Sequence, residues 1–454
     1  MPIAIRTRWR RSRLRFGDLT IMNGGSVATG SPPRDRSAPL RLLTAWDVAR
    51  ALATVLLTDR PSTEHAARSI TDQGAWGPAL DLAIVWSVLP QLRRRILSVD
   101  IGADTHRQLH EACVIAAAQS TAIAHRASVV LERLRSAGIS GMAFKGVGLM
   151  ANLYSGPGQR MVNDVDLLVD RHDLERTWAV LADLRFAPVA EDPQSYVRGL
   201  DDYRPLEGAS LGNQCLVFID EDRVQVDLHW RLTVRPLAPM TTDKILRRAE
   251  RVTLYGRPVL VAAPVDAITI TAHHALRQSF APASTLKDLV DLHTWCSVQQ
   301  ARWSVRDMSA HAHQSGMGVP LLALWKILVT FDATSVARSA ADSLAHRLTR
   351  RQNRDAALLA DLFHLQLRQG PVNHDLLCLL SAQTIKRFLL KRYRAPAASM
   401  RPVSDVPAEL ALGATLPLRE RVAPLLRALA RSTPRTLAAC RALLRAHHFG
   451  PDTT

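Results

Sequence analysis

From Leu42 to about Ser136 the apolar positions recur at intervals of three and four. Trp46, Ala49, Leu52, Val55 and Leu56 draw one stripe of an amphipathic helix. Pro61-Ser62 opens a fresh helix, and the stretch from Gly74 to Pro78 interrupts the next. The segment His106–Arg135 is Ala-rich and periodic throughout, which predicts one long helix. Gly138 stops it, because glycine takes the left-handed conformation of a helix end without steric cost.

The texture changes at Ile139. Gly141–Phe144 reads as a short buried strand, Val147–Tyr154 as a two-turn helix and Ser155–Gln159 as a loop. Met161–Val169 is apolar and β-branched around two acids, which predicts a strand, and Arg171–Leu184 is an amphipathic helix. A loose acidic loop follows around Glu191–Asp202. Leu216–Asp220 and Val224–Trp230 read as strands joined by the turn Glu221-Asp222-Arg223. From Asp266 the helical period returns and runs to about Leu390. Ala395–Pro407 is a Pro- and Ala-rich linker, and Leu416–His448 reads as Arg-rich amphipathic helices interrupted at Pro434. No internal repeat is visible.

This order predicts an α+β protein in which a small mixed sheet is flanked by N- and C-terminal helical regions. The expected divisions are a disordered Arg-rich tail over 1–39, a helical region over 40–137, the α/β core over 138–262, a second helical region over 263–394, and the linker with basic helices over 395–454.

The chain has 454 residues, enough for roughly two or three domains, and is 47% hydrophobic, enough to bury real cores. Charge is uneven. Residues 1–21 carry +5 and residues 386–454 carry +9, leaving only +3 of the net +17 for everything between. Basic ends fit contact with nucleic acid or another anionic surface, and fit equally a solvated Arg-rich surface. With aromatic residues at 5%, base-stacking platforms are few. The five cysteines, Cys113, Cys215, Cys296, Cys378 and Cys440, show no metal-ligand spacing and fit reduced thiols, hence a cytoplasmic setting. Arg10-Arg11 is followed by no apolar stretch, which argues against export, and no long uninterrupted apolar run predicts a membrane span.

The chemistry concentrates in the core. In Val162-Asn163-Asp164-Val165-Asp166-Leu167-Leu168-Val169 the alternation of a strand puts Asp164 and Asp166 on one side and Val165 and Leu167 on the other. Two carboxylates so close repel each other unless a cation sits between them, and oxygen ligands select Mg²⁺ or Mn²⁺. A third acid, Asp227, interrupts another apolar strand at Val226-Asp227-Leu228. Three acids on neighbouring strands make a site for two ions, which suits in-line phosphoryl or nucleotidyl transfer. Upstream, Phe144-Lys145-Gly146 ends a strand and opens a helix. The free N–H groups of a helix start favour phosphate, Gly146 allows close backbone approach, and Lys145 adds a point charge.

These residues resemble a known family. Lys145-Gly146, Tyr154, Gly158, Arg160, the run Asp164–Val169 and the later Asp227-Leu228-His229-Trp230 look like the uncharacterised bacterial nucleotidyltransferase family of the DNA polymerase β superfamily, over roughly Leu42–Trp295. The resemblance implies a polymerase-β-like core, with Asp164, Asp166 and Asp227 as the catalytic metal triad and Gly146 marking the phosphate-binding turn. Where the wider superfamily has Gly-Ser, this chain has Gly146-Val147.

Further candidates to bind NTP or its metal are Arg160, which either neutralises phosphate or forms a structural ion pair, His229, and Lys287. His273, His274, Arg277 and Asp288 lie in helices where related enzymes place substrate contacts, while Trp230 reads as core. The function expected is transfer of a nucleoside monophosphate from an NTP to an unknown acceptor, with Mg²⁺ or Mn²⁺ and release of pyrophosphate. The alternative is a non-catalytic nucleotide-binding or regulatory protein on the same fold. A sugar-nucleotide glycosyltransferase would need several strands before its DxD, where this chain is helical.

Overall fold

The computed structural model describes residues 45–369, apart from 59, 155, 190–214, 233–239, 279, 299–303 and 332–334. The tail expected over 1–39, the acidic loop around Glu191–Asp202, and the linker and basic helices expected over 395–454 lie outside the described residues.

Helices α1 (Ala45–Leu57), α2 (Arg60–Asp72), α3 (Trp76–Val85) and α4 (Leu89–Ile96) precede the 34-residue α5 (Ala103–Ser136). Gly138 ends α5 as expected. It sits at φ +70°, and the Ile139 N–H closes onto the Leu134 carbonyl.

Seven strands follow: β1 (Met142–Phe144), β2 (Val165–Leu168), β3 (Ala187–Pro188), β4 (Cys215–Ile219), β5 (Gln225–His229), β6 (Glu250–Leu254) and β7 (Arg257–Val261). They form one mixed sheet in the order β3-β4-β5-β2-β1-β7-β6. β1–β7 and β2–β5 are parallel, and the other neighbours are antiparallel. Helices α6 (Lys145–Asn152), α7 (Leu174–Asp183) and α8 (Thr242–Arg248) are interleaved with the strands. After them come α9 (Pro264–Arg277), α10 (Pro282–Val298), α11 (Val305–Gln314), α12 (Gly318–Thr330), α13 (Ser335–Ala345) and α14 (Arg350–Gln369).

Two elements differ from the sequence reading. β2 is shorter than the strand expected over Met161–Val169, and Asp164 falls in a bend just before it. The β6–β7 hairpin was not anticipated. It closes on Tyr255-Gly256, with φ +49° and +75°, the two-residue turn whose twist matches paired strands.

The sheet separates two cores. On one face Ala143, Val165, Leu167, Leu216, Phe218, Val226 and Leu228 pack with Ile123, Val130 and Leu134 of α5 and Leu174 and Leu181 of α7. By length and composition a stretch of α5 passes as a membrane span, but this apolar stripe is spent on the protein's own core. On the other face Met142, Phe144 and Leu168 join a larger core that unites α1–α4 with α9–α14. Leu52, Leu56 and Trp86 from the first group share that core with Trp295, Trp325 and Phe363 from the second. Full burial of each such side chain contributes roughly 1.5–3 kcal/mol.

Candidate active site

The catalytic candidates stand where this second face turns from apolar to polar. Register aligns Asp166 of β2 with Phe144 of β1 on one side and with Asp227 of β5 on the other. Partners in register point to the same side of a sheet, so the two carboxylates project together. Leu168 pairs with His229 one step further along, and His229 pairs with Cys215 of β4. Asp166 and His229 are buried, and Asp227 and Cys215 are half-buried. Asp164, in its bend, lies close enough to feel both other acids.

Electrostatics separates the acids. Burial, and then the negative charges of Asp166 and Asp227, push the Asp164 carboxyl up to about 6, against the pull of Lys145 and Lys287. Asp166 moves the other way. Burial favours its neutral form, but the Lys145 ammonium and His229 outweigh that and hold it below the usual carboxylate range. Lys145 Nζ donates to Asp166 Oδ1 at 2.6 Å. Burial disfavours the ammonium, yet the pull of Asp166 lifts it above the ordinary lysine value. Neighbouring acids driven in opposite directions are a mark of sites built to hold charge. Asp227 Oδ1 accepts from Gln225 Nε2 at 2.7 Å.

The turn that carries Lys145 is tight. Phe144 is extended and Lys145 opens α6 at φ +49°, a left-handed conformation that costs a non-glycine residue roughly 1–2 kcal/mol. Such strain persists where surrounding structure imposes it, and it gathers at functional sites. Gly146 is buried with Val162 Cγ1 at 3.3 Å and Arg160 Nη1 at 3.5 Å from where a Cβ would stand. Gly148 is more constrained, since a Cβ there would lie 2.6 Å from the Ala143 carbonyl oxygen. Val147, which follows Gly146, is fully buried among the α5-side apolar residues.

The supporting candidates divide. Arg160 is 2% exposed and spent on Asp291 of α10: Nε donates to Oδ1 at 2.9 Å and Nη2 to Oδ2 at 2.8 Å. Tyr154 Oη donates to the same Asp291 at 2.6 Å. The guanidinium therefore ties the loop before β2 to α10. Of the two roles weighed for Arg160, the structure displays the ion pair. Lys287, half-buried on α10, acts on Asp164, and Arg277 of α9 acts on Lys145 and Cys215. His274 Nδ1 pairs with Asp288 Oδ2 at 2.8 Å, which knits α9 to α10. His273 is half-buried on α9, and Trp230 lies in the core as expected.

His229 packs edge-on against Phe144 with ring centroids 5.1 Å apart. Its Nε2 lies 3.3 Å from Asp166 Oδ1, the contact through which it helps hold that carboxyl down, while Nδ1 has no hydrogen-bond partner.

Sequence reading missed Cys215 and Asp291 as members of this neighbourhood, and had Tyr154 only as part of the family pattern. For Cys215 a signal existed. Once the turn at 221–223 sets the hairpin, Ile219 faces Gln225, Val217 faces Asp227 and Cys215 faces His229. For Asp291, 131 positions from Arg160, there was none.

A cavity of about 710 Å³ opens away from the carboxylates, lined in part by Gln91, Arg93, Arg94, Arg95, Cys113 and His293. Tyr154, whose hydroxyl donates to Asp291, is among its lining residues, and Asp164, Asp166 and Asp227 are not.

A family model described as "Uncharacterised nucleotidyltransferase" matches residues 72–330, more than half of the chain. No curated protein and no solved structure matches.

Proposed function

We propose, from the premise that the chain belongs to this uncharacterised nucleotidyltransferase family, that it moves a nucleoside monophosphate from an NTP to an acceptor in a metal-dependent, polymerase-β-like manner. The observation that carries the reading is the meeting of Asp164, Asp166 and Asp227, brought from a bend and two parallel strands to one face of the sheet. Their donor chemistry fits Mg²⁺ or Mn²⁺. All three are oxygen ligands, and the upward push on Asp164, from burial first and then from Asp166 and Asp227, is one a cation among them would relieve. Bound there, such ions would stabilise the attacking and leaving oxygens of an in-line displacement.

The chain's own residues supply the rest. Lys145, Lys287 and Arg277 place positive charge around the carboxylates, where the triphosphate would lie. Asp227 is half-buried and takes the proton of an acceptor hydroxyl as that oxygen bonds to the α-phosphorus. The α–β bridging P–O bond breaks, and pyrophosphate leaves. Arg160, Asp291 and Tyr154 hold the loop and α10 at a constant spacing, so that Asp164 and Lys287 face each other.

The test is incubation of the protein with each NTP, Mg²⁺ or Mn²⁺ and a cell extract, with pyrophosphate and labelled product measured. Turnover should fall by about 100-fold or more in Asp164→Asn and Asp227→Asn. Equal turnover in wild type and both variants would defeat the assignment. Nucleotide binding without pyrophosphate release under any condition would favour the non-catalytic reading.

A further inference from the structure

Beside the carboxylates lies a second donor set of different chemistry. Cys215 Sγ, a carboxylate oxygen of Asp227 and a ring nitrogen of His229 all fall within 4.8 Å of one another. They share one face of the β4–β5 hairpin, with Cys215 directly opposite His229. The imidazole is 4% exposed, its Nδ1 has no hydrogen-bond partner, and its Nε2 has only the 3.3 Å contact with Asp166 Oδ1. A buried polar group left unsatisfied costs about 1–3 kcal/mol, so an imidazole in this position asks for a partner. Asp227 directs one oxygen to Gln225 and has its other free of that bond.

Magnesium does not answer the request, because it prefers oxygen and dehydrates reluctantly. Sulfur, nitrogen and oxygen together match a borderline-soft ion, which takes thiolate, imidazole and carboxylate at about 2.0–2.3 Å in a tetrahedron. Atoms already within 4.8 Å reach that geometry by small side-chain rotations.

We propose that Cys215, Asp227 and His229 form a zinc-type divalent-metal site that shares Asp227 with the Mg²⁺/Mn²⁺ triad. On binding, the thiol proton passes to solvent and the Cys215 thiolate, the Asp227 carboxylate and the His229 imidazole become ligands. A fourth position is left for water. Occupancy withdraws Asp227 from the triad, so zinc switches the enzyme off. That consequence rests on the proposed function, whereas the binding does not.

Cobalt(II), which takes zinc's place and reports its ligands spectroscopically, is titrated into the metal-free full-length protein. The expected result is a thiolate-to-cobalt charge-transfer band with the visible bands of a four-coordinate ion, both displaced by one equivalent of zinc. In Cys215→Ser the charge-transfer band disappears. Zinc affinity, read by competition with a chromogenic chelator, falls by at least about 100-fold, since loss of a ligand costs more than loss of its supporting contacts. Persistence of the band in Cys215→Ser would assign it to another cysteine and overturn the site, as would its absence from the folded wild type.

Asp164→Asn, which lacks a triad member but none of these three ligands, keeps the cobalt spectrum. Wild type that gives this spectrum with cobalt, yet shows no turnover when assayed with Mg²⁺ or Mn²⁺ alone, would sink the nucleotidyltransferase reading and leave the zinc site standing. If turnover is found, zinc inhibits wild type at a concentration about 100-fold lower than it inhibits Cys215→Ser. Equal inhibition of the two would overturn the switch.

Discussion

Replacing Asp291 by alanine tests whether Arg160 is a structural brace or a phosphate ligand. The guanidinium is 2% exposed and doubly bonded to Asp291 at 2.8 and 2.9 Å, with its remaining Nη1 on the Met161 carbonyl at 3.2 Å. Tyr154 Oη loses its 2.6 Å acceptor in the same step. Attraction to Asp291 overcomes burial and raises the arginine above its ordinary value; a guanidinium does not deprotonate in a protein even without that partner, so the variant cannot escape by neutralising Arg160. Breaking a buried pair by removing one partner leaves an uncompensated charge and costs about 3–5 kcal/mol. At about 2 °C per kcal/mol for a large domain, the thermal midpoint of Asp291→Ala should drop by roughly 6–10 °C. Differential scanning calorimetry of wild type, Asp291→Ala, Arg160→Met and the double variant Arg160→Met/Asp291→Ala forms the cycle. The double variant should lie well above the sum of its parts, because both charges leave together. A drop of less than about 1 kcal/mol in Asp291→Ala, the range of exposed pairs, would refute the brace and return Arg160 to the substrate.

Two further outcomes follow from the same geometry. The Asp164 carboxyl is raised from 3.8 to about 6, so the folded chain binds that proton more tightly than the unfolded one. The resulting loss of stability is absent below the lower value and complete above the higher. Asp164→Asn should therefore stabilise the metal-free protein by about 1–3 kcal/mol near neutral pH and by almost nothing near the unfolded value, in urea titrations at the two pH values; a gain independent of pH would contradict the assigned repulsion. Gly148→Ala places a Cβ 2.6 Å from the Ala143 carbonyl oxygen, and backbone cannot swing aside as a side chain can. It should cost about 1–3 kcal/mol in the same assay, and a neutral effect would mean that α6 sits further from β1.

Much of the core was legible before any coordinate. The 3.6-residue stripes from Trp46 onward, the long helix before Gly138, the apolar strands carrying Asp166 and Asp227, and the hairpin at 221–223 all arise from patterns within a few residues of one another. The α+β class follows from their order. The β6–β7 hairpin was equally local, announced by Tyr255-Gly256 between two short runs of β-type residues, and was missed, with Pro258 early in β7 weakening the strand signal.

Other features depended on contacts between distant segments. Nothing local pairs β2 in parallel with β5, yet that pairing is what sets Asp166 beside Asp227. Nothing near Arg160 announces Asp291, and nothing in α1–α4 says that their apolar stripes close against helices two hundred or more residues later. The physical reason is range. Backbone sterics and side-chain periodicity act over one or two turns of chain and write themselves into sequence order. Which stripe buries against which, and which charge meets which, is decided by surface area and solvation when the whole chain collapses. Acids legible one segment at a time, Asp164 in a bend and Asp166 and Asp227 on strands, thus meet, with a cysteine and a histidine beside them, only through tertiary pairing.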